Sequence, residues 1–336
     1  MKTLPTKADA KGASFTIADF IEAGGDRLRL SVIAGGENLG RVVEEPIMNR
    51  PGLALAGFYD YFAWSRLQLI GRGELAYVRS LDAKTRRERI QGMIDRKAFC
   101  FIFTNGHMPA PDVIEIAESS GAIMLSTPLK TRVFANQATF VLERLAAPST
   151  TVYGTMVEVS GVGVLFEGDS GLGKSETALG LVKRGAALVA DDLTCIRKDV
   201  GNNLLYGSAS DSTAGYMEIR GIGIVHIPSI FGVNAVRDEK RVQLVVTLKL
   251  LDKVRGEIDR TGQRRRFRTI LGVEVPHVVI PVSEGRDLVN LVETAVQQQK
   301  LMSAGHRPVV DLSKRLRRRA AKSGDNSTIK REKHNG

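Results

Sequence analysis

The chain has 336 residues, of which 43% are hydrophobic and 25% charged, the balance of a soluble globular protein with room for two domains. Its two cysteines, Cys100 and Cys195, give neither a disulfide framework nor a zinc spacing and fit a reducing cytoplasm; no run nears the roughly 18 apolar residues of a membrane span, and the N-terminus lacks a signal-peptide core. Of the net charge of +11, the stretch from His306 to Gly336 supplies seven (ten Lys/Arg against three acids), so neither nucleic acid nor membrane is an expected partner of the remainder.

In the first part, "FTIADFIEAGG" reads as a short helix ended by glycines and "LRLSVI" as a strand. "RRERIQGMIDR" is an amphipathic helix leading into "AFCFIFT", an apolar strand that makes Cys100 a core residue. "MPAPDVIEIAESSG" has Pro at a helix start and Gly at its end, and "AIMLST" follows as a strand. "TRVFANQATFVLERLA" is one more helix. This βαβ alternation predicts a small N-terminal α/β domain over residues 1–147, closed by the polar linker "APSTT".

The second part, residues 148–310, opens with "TMVEVSGVGVLFEG", a hairpin whose second arm feeds a glycine-rich loop. "SETALGLVKRG" is a helix closed by Gly185, "AALVADD" a buried strand ending in two acids, "DDLTCI" a second buried run holding Cys195, and "RVQLVVTLKLL" a further strand. "GRDLVNLVETAVQQQKLM" is the last long helix. Residues 311–336 have the composition of a disordered basic tail.

Between hairpin and helix, Gly168, Gly173, Lys174 and Ser175 satisfy G-x-x-x-x-G-K-[ST] in the strand-to-helix setting that this pattern needs. Glycines at 168, 171 and 173 let consecutive N–H groups turn around an anion, and the helix N-terminus adds attraction. The nucleotide is therefore expected on Gly168, Asp169, Ser170, Gly171, Leu172, Gly173, Lys174 and Ser175. Lys174 places a point charge on the β- and γ-phosphates and the Ser175 hydroxyl is a Mg²⁺ ligand. In "LVADD" one acid can hold magnesium through water while the other takes a proton from an attacking hydroxyl.

"GDSGLGKSETALGLVKRGAALVADD" closely resembles the HPr kinase/phosphorylase family, and four more stretches do so in order: "NRPGLALAGFYDYF", "MEIRGIGIVHIPSIFG", "DRTG" and "IPVSEGRDL". The resemblance covers roughly Arg50 to Gln299. It implies an α/β fold with a C-terminal P-loop kinase domain, its central sheet flanked by helices. It also implies an enzyme that uses ATP and Mg²⁺ to phosphorylate a serine of HPr, the phosphocarrier of the sugar phosphotransferase system, and removes that phosphate by phosphorolysis, with inorganic phosphate in and pyrophosphate out. The family forms ring-like homo-oligomers, so a homohexamer in the cytoplasm is expected.

By the same resemblance Lys174, Asp192 and Arg260 are catalytic, Asp192 serving as base forwards and acid in reverse, and Ser175 and Glu218 hold the metal. Met217, Glu218, Ile219, Arg220, Gly221, Ile222, Gly223, Ile224, Val225 and His226 form a segment used in both reactions, and Pro281, Val282, Ser283, Glu284, Gly285 and Arg286 the segment tied to dephosphorylation. One departure stands out: where the family has a catalytic histidine in V-H-G, this chain reads "VYG" with Tyr153. Tyrosine keeps a hydrogen-bonding tip but loses any role that needs an imidazolium. Arg220 is a second open case, either catalytic or a structural partner of Asp191 or Asp192. The charge run Arg264 to Arg268 reads as a solvated loop, with no RNA-binding signature beside it. Two other readings fit the residues: a nucleotide-sensing regulatory module, and a P-loop kinase of a small metabolite.

Overall fold

The computed structural model describes residues 14–199, 201–210, 212–254, 265–306 and 310–316, which divide into two compact units between Pro148 and Ser149. The first contains α1 (Ile17–Leu28), β1 (Ser31–Ala34), β2 (Met48–Asn49), α2 (Gly52–Leu55), β3 (Leu67–Ile70), α3 (Arg72–Ser80), α4 (Ala83–Asp95), β4 (Cys100–Phe103), α5 (Pro111–Ser120), β5 (Ile123–Ser126) and α6 (Thr131–Ala146). Its sheet order is β1-β5-β4-β3-β2, with β2 to β5 parallel and β1 antiparallel at the edge. Both faces are covered by helices, which is why β3 and β4 are buried along their whole length. Cys100 and Ile102 pack with Phe20 and Phe134 on one side, and Phe101 and Phe103 with Ile90 and Val113 on the other. Burial pushes the Cys100 thiol pKa upward, as befits a core residue.

Thr16 and Asp19 form a capping box that starts α1. The helix breaks at Gly25 (φ 36°) and resumes to Leu28, so glycine kinks it where the sequence suggested an end. In "NRPGLALAGFYDYF" the Asn49 amide donates to Gln68 Oε1 at 2.9 Å, and Arg50 donates twice to Glu74 at 2.9 and 2.8 Å. These bonds tie β2 to β3 and to the start of α3.

The second unit contains β6 (Ser149–Tyr153), β7 (Thr155–Val159), β8 (Val162–Glu167), α7 (Lys174–Lys183), β9 (Ala187–Ala190), β10 (Leu193–Asp199), β11 (Leu204–Ser208), β12 (Tyr216–Ile219), β13 (Gly223–His226), α8 (Ile227–Phe231), β14 (Glu239–Leu250), α9 (Leu251–Val254), β15 (Arg266–Ile270), β16 (Val273–Val282) and α10 (Leu288–Ser303). The sheet runs β6-β10-β11-β14-β8-β7-β9, with β16 and β15 branching from β14. Twelve-residue β14 pairs antiparallel with β11 at its start, parallel with β8 along its middle and parallel with β16 at its end. On one face Phe166, Val246 and Leu248 pack under Leu181 of α7 and Val292 and Val296 of α10. On the other, Leu165 and Val245 pack with Ile196 of β10 and Leu205 of β11.

Several expectations change here. The "STT" of "APSTT" is not linker but the start of the edge strand β6, which pairs antiparallel with β10. Cys195 is only half-buried, because β10 buries Thr194 and Ile196 on its covered face and leaves Cys195 on the other. Arg266 to Arg268, read as loop, belong to strand β15, where Arg268 pairs with Glu167 at 3.3 Å. Residues 310–316, at the start of the basic tail, are helical and largely exposed. Among the described residues no helix is long and apolar enough to cross a membrane.

Candidate active site

The antiparallel hairpin β7–β8 delivers the chain to Gly168 at the C-terminal edge of the sheet. Gly168 (φ 145°), Gly171 (φ 83°) and Gly173 (φ 83°) all take backbone conformations that L side chains rarely adopt. At Gly168 a Cβ would stand 2.5 Å from the Leu248 carbonyl oxygen of β14, so the loop lies against the sheet too closely for any side chain. Leu172 is buried in the core below and anchors the loop. No side chain caps the start of α7, which leaves its first N–H groups facing the loop interior for an anion. Lys174 Nζ donates to the carbonyls of Gly168 and Asp169 at 2.9 and 3.1 Å and so spans the loop.

Behind the loop stands Asp191, nearly buried after β9. Its Oδ1 accepts from Ser175 Oγ at 3.0 Å and from Thr155 Oγ1 at 2.8 Å, and its Oδ2 accepts from the backbone N–H of Glu218 at 3.1 Å. One carboxylate thus joins the phosphate loop, strand β7 and strand β12. Burial pushes the Asp191 carboxyl up, with the neighbouring charge of Asp192 adding to it; the hydrogen bonds from Thr155, Ser175 and Glu218 oppose the shift. Asp192 is exposed, in a left-handed conformation (φ 59°) that Asp tolerates, so consecutive acids have opposite surroundings.

Tyr153 ends β6 in register with Leu193, is 79% exposed, and precedes Gly154, whose N–H donates to the Asp192 carbonyl at 2.8 Å. The Tyr153 backbone therefore flanks Asp192. In the two-stranded sheet β12–β13, Met217 and Ile219 are buried while Tyr216 and Glu218 are exposed. Arg220 Nη1 comes within 3.4 Å of where a Gly171 Cβ would be, which sets it over the phosphate loop. Among the described residues no ion pair joins Arg220 to Asp191 or Asp192. Ile222 and Ile224 are exposed, and His226 Nδ1 shares a hydrogen bond with Ser229 Oγ at 2.6 Å.

Pro281 and Val282 end β16, and Ser283 to Arg286 lead into α10, whose Leu288 approaches Gly173. Arg260 and the rest of "DRTG" lie outside the described residues. Thr155 carries no motif and escapes a reading of the sequence; only its bond to Asp191 reveals it. The acids and hydroxyl here are hard oxygen donors, which suits Mg²⁺. Among the described residues no three His, Cys, Asp or Glu side chains form a metal cage, an arrangement compatible with an ion that shares its shell with phosphate and water.

The family model described as HPr Serine kinase C-terminal domain matches residues 144–316, and that described as HPr Serine kinase N terminus matches residues 15–142. The HPr kinase/phosphorylase of Leptospira biflexa serovar Patoc is 39% identical over 292 residues, 87% of this chain and 90% of its own. That of Treponema pallidum subsp. pallidum is 41% identical over 281 residues, 84% of this chain and 88% of its own. Among solved structures, the Hpr(Ser) kinase/phosphatase from Coxiella burnetii shares 34% identity with a TM-score of 0.44, covering 50% of this chain and 98% of that one. With models of both its domains matched across nearly the whole described chain, this protein belongs to the HPr serine kinase family.

Proposed function

We propose that this chain phosphorylates a serine of HPr with ATP and removes that phosphate by phosphorolysis. The observation that carries the reading is the Asp191 junction, which links Ser175 to the Glu218 backbone and leaves Asp192 exposed beside it. Lys174 and the loop N–H groups hold the β- and γ-phosphates and neutralise charge as the phosphoryl group moves. Asp192 accepts the proton of the serine hydroxyl while the serine oxygen attacks the γ-phosphorus and ADP leaves. In reverse, an oxygen of inorganic phosphate attacks the phosphoserine phosphorus, pyrophosphate forms, and Asp192 returns the proton to the departing serine oxygen. Asp191 keeps the Ser175 proton turned towards itself, which frees the lone pairs of Ser175 for a cation. Ser175 and Glu218 would hold Mg²⁺, which would supply charge neutralisation for the phosphates. The exposure of Asp192, Glu218, Ile222 and Ile224 favours a protein acceptor over a small metabolite, which would be enclosed. Arg260 adds positive charge to the transferring group, and Pro281 to Arg286 serve the reverse arm. A cytoplasmic homohexamer completes the proposal.

Incubation with Mg-ATP and HPr is expected to yield phosphoserine on HPr, and Lys174→Ala to lower the rate by about 10³-fold. Unmodified HPr alongside micromolar ATP binding would replace this reading with the nucleotide sensor. Pyrophosphate released from phosphorylated HPr on adding phosphate tests the reverse arm.

A further inference from the structure

Two fully buried threonines belong to the hydrogen-bond network around the Asp191–Asp192 turn. Thr155 Oγ1 donates to Asp191 Oδ1 at 2.8 Å, and Thr194 Oγ1 donates to the Gly154 carbonyl at 2.8 Å. Gly154 closes the loop of contacts by donating its N–H to the Asp192 carbonyl, also at 2.8 Å. It fits there only as glycine, since a Cβ would lie 2.3 Å from the Phe166 carbonyl oxygen. A buried hydroxyl is retained at a cost unless it is bonded, and valine has the same shape, so the hydroxyl of Thr155 needs a reason. It donates to the same Asp191 oxygen that accepts from Ser175.

We infer that Thr155 is a positioning residue for the metal-holding arm of the site, fixing the Asp191 carboxylate so that Ser175 and the Glu218 strand keep the spacing a cation needs. Thr194 secures the same turn through Gly154 and thereby holds Asp192 outward. Without the Thr155 hydroxyl the Asp191 carboxylate keeps its bonds from Ser175 and the Glu218 N–H but loses its tie to β7, and its last torsion is then set by Ser175 and the β12 backbone alone. Partners of this second rank commonly change metal affinity about 10- to 100-fold when removed. The inference rests on the proposed Mg²⁺ role of Ser175 and Glu218.

The test titrates Mg²⁺ against a fluorescent ADP analogue bound to the full chain, alongside HPr phosphorylation. Thr155→Val is expected to raise the Mg²⁺ concentration for half-maximal nucleotide fluorescence about 10-fold and leave metal-free nucleotide affinity unchanged, whereas Thr155→Ser keeps the wild-type Mg²⁺ requirement. A Thr155→Val protein with the wild-type Mg²⁺ curve would overturn the inference, and so would a Thr155→Ser protein as impaired as Thr155→Val, since packing rather than the hydroxyl would then decide. If Thr155→Val does not fold, Thr155→Ala provides the hydroxyl-free comparison. Because the titration reads binding, failure of HPr phosphorylation in the unaltered protein would refute the proposed function and leave the positioning role to be judged by the Mg²⁺ curves.

Discussion

Replacing Gly168 by alanine tests whether the phosphate loop owes its shape to one backbone contact. The added Cβ would lie 2.5 Å from the Leu248 carbonyl oxygen, about 0.9 Å inside the 3.4 Å at which ordinary contact begins. Leu248 cannot yield, because it sits in β14 with Ile280 of β16 as its register partner. The loop must therefore move, and it must also carry alanine in a conformation (φ 145°) that glycine nearly monopolises, at about 1–3 kcal/mol. Taking about 2 kcal/mol, a unit of this size loses about 4–8 °C of melting temperature. A loop displaced by about 1 Å costs roughly 100-fold in rate when it carries the reacting groups. Thermal unfolding and initial rates of HPr phosphorylation measure both effects. Gly73→Ala is the control: it lies in α3 with no atom within 4 Å of the new Cβ and should gain about 0.5–1 kcal/mol. A Gly168→Ala protein with the melting temperature and rate of the unaltered chain would refute this account of the loop.

Two further outcomes are expected. Tyr153→His puts a group that titrates near neutral pH at the end of β6, next to the Gly154–Asp192 backbone bond, and should accelerate pyrophosphate release from phosphorylated HPr by about tenfold or more relative to the forward rate; unchanged rates in both directions would remove Tyr153 from the mechanism. His277, whose Nε2 shares a 2.7 Å hydrogen bond with Thr247 Oγ1, has its pKa lowered by burial first and then by Arg268, Arg266 and Lys249. Its unfolded form therefore binds a proton before the folded one, so stability is lost as pH falls from above the ordinary value of 6.5 through the depressed folded value. His277→Gln should flatten the fall in melting temperature between about pH 7.5 and about pH 5, and an unchanged slope would assign that fall to other groups.

How far the site could be read from residues depends on what each residue does. Gly168, Gly173, Lys174 and Ser175 are legible because holding phosphate with backbone N–H groups demands particular residue types at fixed spacing. Thr155 is silent because a buried strand accepts threonine or valine in the same volume, and only the fold brings it to Asp191. The difference between Asp191 and Asp192 is likewise tertiary: adjacent letters, one enclosed by β7, α7 and β12 and the other exposed. Helices α1, α4, α5 and α6 and strands β1, β4 and β5 of the first unit follow from their apolar periods, whereas β2, α2, β3 and α3, between Met48 and Ser80, were not legible. Strand β6 was not legible either, since its opening "STT" is polar enough to pass for linker until β10 supplies its partner. The run at Arg264 to Arg268 misled for a related reason, its charges masking the alternation that β15 uses to pair with β16.

Strand β14 has a consequence for ligand design. The phosphate loop leaves β8 on one side of it and the Pro281 to Arg286 segment leaves β16 on the other, both strands running parallel to it. Their origins are thus two inter-strand spacings apart, about 10 Å, a distance set by main-chain hydrogen bonds rather than by side chains. A bivalent inhibitor with one anionic head in the glycine loop and a second group on Ser283 to Arg286 would need a linker of that span, and the same linker would suit sequence variants that keep these three strands.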